Sequence, residues 1–339
     1  MRIAVPVLSV ALCAAFAACA GGGDDGASAP AATARVVTST VEPTPTPAPS
    51  PTATPIVVAE LPIVDLHFHP EAAWGDGLIA LFDRVNVRAA GNGAQAPDPE
   101  ALALAERYAP RVVPFGGGYP LRQFVLRLGA AAWDVESAEV RAYLDALEDE
   151  LAAGRFRGIG EIHVDSTASY FTGTPPIRYP ADAPLMQRLW AMSAVYGLPV
   201  SVHMDGSTES VASMERLLAS DRRGTWLWAH TGHYAEPPLV RRLLRDHPNL
   251  FCELSYRSSI SPSRTAVPLD NNGVLREEWR ALLEEFPDRF VIGTDLPVAS
   301  AAEYTRHIGF WRAILEQLTP ETAALLAHLN AERLLKRGQ

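Results

Sequence analysis

The stretch Ile-Val-Asp-Leu-His-Phe-His at residues 63–69 ends an apolar run with two imidazole side chains. In a β-strand successive side chains point to opposite faces, so His67 and His69 should emerge on the same side while Phe68 points the other way. Two imidazoles on one face can bind a single metal ion. The stretch therefore predicts a strand that delivers a pair of metal ligands.

Four later apolar runs also carry residue types that bind metals. They are GIGEIH at 158–163, PVSVH at 199–203, WLWAH at 226–230 and FVIGTD at 290–295. A single histidine at the end of a strand is usually an ordinary polar residue, but six such residues in one ordered series favour a shared metal site. The predicted metal ligands are His67, His69, Glu161, His203, His230 and Asp295.

Short apolar runs alternate with helical patterns over the rest of the chain, which predicts an α/β fold, a (β/α)8 TIM barrel forming a single catalytic domain. Strands are predicted at 63–67, 85–90, 112–115, 159–163, 200–203, 226–230, 250–254 and 290–295. Helices are predicted at 99–108, 138–153, 183–196, 209–220, 238–246, 276–285, 301–318 and 320–336, the last of them packed outside the barrel. The loops after the strands form the active site of such a barrel, so the predicted ligands should meet at one mouth.

The N-terminus has the features of an export signal. Arg2 precedes an apolar run at 3–16 that is too short to span a membrane, and small residues follow. Phe-Ala-Ala-Cys at 16–19 resembles a bacterial lipobox, in which Cys19 would carry a lipid that anchors the exported protein to a membrane. Ordinary cleavage after Ala20 is the alternative. The predicted organisation is a lipoprotein signal peptide at 1–19, a disordered Pro/Thr-rich linker at 20–56 and the barrel domain at 57–339.

Charge and cysteine content narrow the range of partners and bonds. The net charge of -10 argues against a nucleic-acid partner, because phosphate binding needs clustered Lys and Arg. Cys252 is the single cysteine of the predicted domain, so an internal disulfide is impossible there, and its apolar setting predicts a buried strand residue. A small-molecule substrate is the expected partner, and the oligomeric state is not predictable.

The ordered series resembles the amidohydrolase superfamily. Its members carry His-x-His after strand 1, a carboxylate or modified lysine after strand 4, histidines after strands 5 and 6, and an aspartate after strand 8. The resemblance covers about residues 61–335, including Asn-Ala-Glu-Arg-Leu at 330–334, which is similar to the end of the amidohydrolase-related branch. Gly-Glu-Ile at 160–162 is similar to the strand-4 motif of TatD-like hydrolases.

The resemblance implies one of two metal centres. In the two-metal version, a bridging Glu161 joins two groups of ligands, which are His67, His69 and Asp295 for the first ion and His203 and His230 for the second. In the one-metal version, typical of decarboxylase-like members, His230 is free to polarise the substrate carbonyl or move a proton, and the ligands are His67, His69, His203 and Asp295. We favour two metals because Glu161 has the right side chain at the right place.

The implied reaction is hydrolysis of an ester, lactone, amide or phosphoester of a small molecule by metal-activated water. Asp295 would be the general base, and His230 is the second candidate catalytic residue. Nitrogen and oxygen ligands without a thiolate suit zinc, with manganese, iron or nickel as alternatives. The alternative functions are a one-metal lyase of the decarboxylase or hydratase type and a lipoprotein that binds a ligand without turnover.

Five further residues are weaker candidates. His163 and His233 lie close in sequence to predicted ligands, and each could act in the site or be structural. Asp65 could orient a ligand histidine or cap a helix or strand. Arg178 and Arg257 lie in long loops and could anchor an anionic substrate, but a surface role is the simpler expectation for both.

Overall fold

A computed structural model describes residues 55–93, 96–167, 175–257, 267–296 and 299–336. The predicted signal peptide and almost all of the predicted linker lie outside these residues, so the division of the N-terminal region stays a prediction. None of the described helices is long and apolar enough to cross a membrane.

Eight parallel strands occur within the described residues, and they pair in sequence order to form a barrel. They are β1 (Ile63–Asp65), β2 (Val87–Gly93), β3 (Val112–Gly117), β4 (Ile159–Asp165), β5 (Pro199–Met204), β6 (Thr225–Ala229), β7 (Leu250–Glu253) and β8 (Phe290–Val291). A parallel bridge between Asp65 and Ile292 joins the last strand to the first, and the N–H of Leu66 donates to the carbonyl of Ile292 at 2.8 Å. The predicted TIM barrel is confirmed.

Helices cover the outside of this barrel. Those in the described residues are α1 (Leu78–Val85), α2 (Asp98–Arg107), α3 (Gly118–Leu128), α4 (Ala130–Trp133), α5 (Ala138–Ala152), α6 (Pro184–Tyr196), α7 (Thr208–Ser220), α8 (Pro237–Asp246), α9 (Glu277–Glu285), α10 (Ala301–Leu315), α11 (Pro320–Ala324) and α12 (Asn330–Lys336). A π-helical turn at Leu325–Leu329 joins α11 to α12, where a single uninterrupted helix was predicted.

Three helices were missed by the sequence analysis, and one strand was placed too early. Val85 ends α1 instead of beginning β2, because Asn86 adopts a left-handed conformation with φ 53° that terminates the helix. In α3, Pro120 lies in the first turn, where proline is tolerated, although Gly-Tyr-Pro reads as a turn in sequence. The short α4 begins directly after Gly129.

Two strands are shorter than predicted, and this matters for the site. β1 ends at Asp65 and β8 at Val291, so His67 and Asp295 lie beyond the sheet. The backbone N–H of Asp295 donates to the carbonyl of His67 at 2.7 Å, which holds the two segments together. The two histidines of the first motif therefore reach one site from a loop, and strand alternation is not the reason.

The C-terminal helix covers one end of the barrel rather than its outer wall. Ala331 and Leu334 pack with Val64 and Val291, which belong to a buried cluster contributed by strands. The side-chain amide of Asn330 donates to the carbonyls of Pro287 and Phe290 at 2.8 and 2.9 Å, where β8 begins. Since parallel strands begin at the same end, this helix closes the face opposite the C-terminal strand ends.

Candidate active site

The structure brings all six predicted ligand residues together at the C-terminal mouth of the barrel, with Glu161 between two groups of histidines. One carboxylate oxygen, Oε2, lies 3.5 Å from His67 Nε2 and 3.8 Å from His69 Nε2. The other oxygen, Oε1, lies 3.1 Å from His203 Nδ1 and 3.0 Å from His230 Nε2. His163 Nε2 also lies 3.6 Å from Oε2. Each oxygen of one buried carboxylate thus faces a different group of imidazoles.

Asp295 completes the first of these groups. Its Oδ1 lies 3.0 Å from His69 Nε2 and 3.5 Å from His67 Nε2, while Oδ2 is 3.8 Å from His230 Nε2. The residue has φ 43°, a left-handed conformation that aspartate tolerates better than most side chains. Asp295 therefore faces both groups of histidines across the mouth.

Hydrogen bonds on the far side of each ring determine which nitrogen faces the centre. His67 Nδ1 donates to Glu253 Oε2 at 2.6 Å, and His69 Nδ1 donates to the carbonyl of Gly93 at 2.5 Å. His230 Nδ1 lies 2.7 Å from the hydroxyl of Ser255. With a proton on Nδ1 of each ring, Nε2 is the atom that faces the site, and an imidazole binds a metal through such a nitrogen once it carries no proton.

Glu253, at the end of β7, is a site residue that the sequence analysis missed. It is completely buried. Besides His67, it accepts hydrogen bonds from the hydroxyl of Ser255 at 2.7 Å and from the backbone N–H of His230 at 3.1 Å. A carboxylate inside the apolar run Leu-Phe-Cys-Glu-Leu at 250–254 was the available signal, because a buried charge needs partners.

The electrostatics of the site favour added positive charge. Burial disfavours the imidazolium form of His67, but the carboxylates of Asp295, Glu161 and Glu253 outweigh it and raise the pKa of His67 well above its ordinary value. Burial likewise opposes charge on Glu161, yet the neighbouring histidines hold its pKa well below the usual range. The pKa of His230 lies well below its usual value because of burial and the nearby His233. Around His67 the negative charge therefore attracts a cation.

One buried atom tests whether a metal ion fits. In the described part of the chain, His67 Nε2 is buried without a hydrogen-bond partner, and it points between Glu161 and Asp295. Among the described residues four overlapping groups have ligand atoms that lie within 4.8 Å of one another inside each group. The groups are His67, His69 and Glu161; His67, His230 and Asp295; His203, His230 and His233; and Glu161, His163 and His203. Such a set of imidazole and carboxylate donors suits a divalent transition metal.

His163 and His233, the weaker histidine candidates, both lie in this cluster. His163 stacks on His203 with ring centroids 4.6 Å apart, and burial lowers its pKa to about 3. His233 lies 4.3 Å from the ring of His230, and burial lowers its pKa to about 4 despite Asp205, whose Oδ1 is 3.4 Å away. Both rings are therefore neutral at pH 7 and border the predicted ligands. Asp205 was missed by the sequence analysis.

Neither role considered for Arg257 is correct, because its side chain is completely buried. It donates to the carbonyls of His230 and Ala235 at 2.9 and 3.0 Å, and its guanidinium lies 5.1 Å from the ring centre of Trp279. Four successive residues, His230 to His233, have φ between 46° and 66°, a conformation that costs about 1–3 kcal/mol for each non-glycine residue. Arg257 holds this strained loop and with it His230.

The remaining two candidates differ from each other. Arg178 is exposed and pairs with Glu209 at 2.6 Å, as expected of a surface residue. Asp65 is fully buried and accepts hydrogen bonds from the hydroxyls of Thr294 at 2.7 Å and Tyr304 at 2.9 Å. It also accepts a hydrogen bond from the backbone N–H of His67 at 3.3 Å. Asp65 therefore fixes the segment after β8 relative to β1 and to the main chain of a predicted ligand.

Comparisons with known proteins agree with this architecture. Residues 64–337 match the family model Amidohydro_2, described as Amidohydrolase. No curated protein matches the chain.

Three solved structures have a similar fold at low identity. An uncharacterized TIM-barrel protein from Bordetella bronchiseptica is 13% identical with a TM-score of 0.54, over 82% of this chain and 99% of its own. A dihydroxybenzoic acid decarboxylase from Polaromonas sp. JS666, with bound manganese and the inhibitor 2-nitroresorcinol, is 12% identical with a TM-score of 0.52, over 82% and 98%. A putative amidohydrolase from Staphylococcus aureus is 12% identical with a TM-score of 0.51, over 81% and 99%. Because the family model spans nearly the whole barrel, the chain belongs to the amidohydrolase family.

Proposed function

We propose that this protein is a metal-dependent hydrolase that uses water to cleave an ester, lactone, amide or phosphoester of a small molecule. The observation that carries the proposal is the position of Glu161, whose two oxygens face two different groups of imidazoles. A carboxylate in this position can bind two cations at once. A site for a single ion does not require a carboxylate with histidines facing both of its oxygens.

In this proposal two divalent ions, with zinc expected, are held by the six residues. His67, His69 and Asp295 would hold one ion and His203 and His230 the other, with Glu161 shared. When bound, the ions polarise the substrate carbonyl or phosphoryl oxygen and lower the pKa of water. The hydrogen bonds of Glu253, Gly93 and Ser255 to the far nitrogens keep the histidine rings turned toward this centre.

Asp295 is the proposed general base. Its side chain is 14% exposed, more than those of His67 and His69, so it lies at the surface from which water and substrate arrive. Oδ1 is close to His69, which leaves Oδ2 to accept a proton from the attacking water and return it to the leaving group.

A second candidate is a one-metal lyase of the decarboxylase or hydratase type. The fold similarity to the dihydroxybenzoic acid decarboxylase supports it, and the residues are compatible. His67, His69, His203 and Asp295 would hold the ion, while His230 would polarise the substrate or move a proton. Glu161 would then be dispensable for metal binding.

Metal content separates these candidates. We would measure metal per chain by plasma mass spectrometry for the natural protein, for Glu161→Gln, and for Glu139→Gln, whose exposed carboxylate lies on α5. The hydrolase is supported if the natural protein and Glu139→Gln bind two metals per chain and Glu161→Gln binds one or none. The lyase is supported if all three proteins bind one metal per chain. A panel of esters, lactones, amides and phosphoesters with added zinc or manganese then tests turnover. Metal binding with neither hydrolase nor lyase turnover would indicate a ligand-binding protein.

We also propose that the protein is exported and tethered to a membrane by a lipid on Cys19, facing the periplasm or the cell exterior. The support is the sequence at 16–19 and the Pro/Thr-rich stretch that follows. A long linker of this composition would let the barrel meet its substrate away from the membrane surface.

A further inference from the structure

A small recess opens beside the predicted metal ligands, on the side of β3 and β4. Its lining includes His69, Glu161, His163, Tyr119 and Arg122. Three of these residues, His69, Glu161 and His163, belong to the site described above. The recess is therefore continuous with the place where the reacting bond of a substrate would lie.

Arg122 in this recess has an unused guanidinium. In the part of the chain that the structure describes, it forms no hydrogen bond or ion pair, and its Nε atom is buried without a partner. Arg127 on the same helix shows the usual alternative, since it pairs with Glu139 at 2.8 Å. An arginine cannot lose its charge by deprotonation at neutral pH, so Arg122 presents a positive charge and several N–H donors to the recess.

The position of Arg122 follows from how α3 begins. A Cβ atom at Gly118 would lie only 2.6 Å from the backbone nitrogen of Glu161, so this residue must be small for the helix to start directly against β4. Tyr119 and Arg122 are three residues apart and so lie on the same face of the first turns of α3. No acidic residue occupies that first turn, which leaves the positive end of the helix dipole available to an anion.

We propose that this recess binds a carboxylate carried by the substrate, with Arg122 as its partner and Tyr119 as an additional donor. The inference rests on the proposed function, since it names the substrate class of the same site. The planar guanidinium matches the two oxygens of a carboxylate. A phosphate dianion fits less well, because Arg122 is the single cationic side chain among the described lining residues and the Glu161 carboxylate lines the same recess.

The consequence is a substrate with two functional parts. Its carboxylate binds at Arg122, and its ester, lactone or amide carbonyl lies between Glu161 and Asp295. Anchoring one end in this way orients the reacting bond and reduces the entropic cost of reaching the transition state. Neutral compounds with the same reacting bond would bind without this anchor.

Matched esters test the proposal on the metal-loaded, full-length protein. The monomethyl esters of succinate and glutarate carry a carboxylate, and the corresponding dimethyl esters do not. We would measure kcat/KM for both sets, and binding of succinate and glutarate by calorimetry, for the natural protein, Arg122→Met, Arg122→Lys and the control Arg127→Met. Metal content and thermal unfolding of each variant establish that the site and fold are intact.

The proposal expects the natural protein and Arg127→Met to prefer the monomethyl esters and to bind the dicarboxylates. Arg122→Met should lose about tenfold or more in kcat/KM for the monomethyl esters and in affinity for the dicarboxylates, as expected for a charge-assisted hydrogen bond, so its preference for monomethyl over dimethyl esters should shrink. Arg122→Lys should fall in between, because it keeps the charge and loses the planar fork.

Two results separate failure of this proposal from failure of the proposed function. The proposed carboxylate recess is contradicted if the natural protein and Arg122→Met bind dicarboxylates equally well, or if neither binds them. Arg122-dependent binding without hydrolysis of any ester, lactone or amide supports the recess and instead contradicts the hydrolase.

Discussion

Glu253 Oε2 lies 2.6 Å from Nδ1 of His67, and both side chains are completely buried. The pair is 186 residues apart in sequence. Because the carboxylate accepts the Nδ1 proton, it fixes the ring so that Nε2 faces Glu161 and Asp295. Through Ser255 the same carboxylate also supports His230, so one residue from β7 orients imidazoles from two different groups.

Replacement of Glu253 by Gln should weaken metal binding. His67 Nδ1 and the Ser255 hydroxyl both donate to Oε2, and Oε1 accepts from the backbone N–H of Ser255, so the amide NH2 of glutamine would face a donor in either position. Loss of a carboxylate that supports a ligand histidine usually costs about 10–100-fold in metal affinity. Metal dissociation constants, measured by competition with a chelating dye, check this expectation. Glu277→Gln, at an exposed carboxylate at the start of α9, is the control. Equal affinity of Glu253→Gln and the natural protein would contradict the assigned role.

Replacement of Asp295 by Asn should reduce turnover strongly while the fold is retained. Asparagine keeps the shape of the side chain but cannot accept a proton at Oδ2. General base catalysis usually contributes about 10²–10⁴-fold, so kcat should fall within that range. The assay uses the best substrate found in the panel described above, with metal content measured in parallel. A kcat within twofold of the natural value would remove Asp295 from the mechanism.

Replacement of Arg257 by Met should destabilise the protein. The carbonyls of His230, Thr231 and Ala235 would each lose a donor in a buried setting, and the left-handed loop from His230 to His233 would lose its support. We expect the free energy of unfolding to fall by roughly 2–4 kcal/mol. Urea unfolding of the metal-free protein measures it. Arg178→Met, at an exposed arginine, should change stability by about 0.5 kcal/mol at most, and an equal loss in both variants would argue against a special role for Arg257.

Cys252 should resist alkylation in the folded protein. Its thiol is buried, and burial raises its pKa to about 12 from an ordinary value of 9.0, so the reactive thiolate is scarce at pH 8. The folded state holds this proton to higher pH than the unfolded chain does, so this group makes folding less favourable as the pH rises from about 9 to 12. Peptide mapping after iodoacetamide treatment, with and without urea, checks this. Rapid labelling at pH 8 without urea would show that the thiol is accessible.

Lipid attachment should depend on Cys19. In a bacterial host fed a labelled fatty acid, the natural chain should incorporate label and partition with membranes, and Cys19→Ser should do neither. Cys13→Ser, within the same predicted signal peptide, is the matched control and should still be labelled. Export of the natural chain without a label would support ordinary cleavage after Ala20 instead.

The sequence by itself determined the order of the barrel strands and the six residues that meet at its mouth. Buried parallel strands are short apolar runs, so β4, β5 and β6 were visible from local composition, with the polar residue at or beyond each strand marking the active face. Helices whose pattern is interrupted, such as α3 with Pro120 in its first turn, gave weaker local signals.

The tertiary structure decided which atoms face one another. The fold brings together residues that are far apart in the chain. Only then does Glu161 lie between two groups of histidines, Glu253 behind His67, and Arg257 beneath the loop of His230. Arg122 could be recognised only once its surroundings were known, because the presence or absence of a partner is a property of the folded neighbourhood. Local periodicity encodes the direction a side chain takes from its own strand or helix, but burial and pairing depend on contacts across the whole barrel.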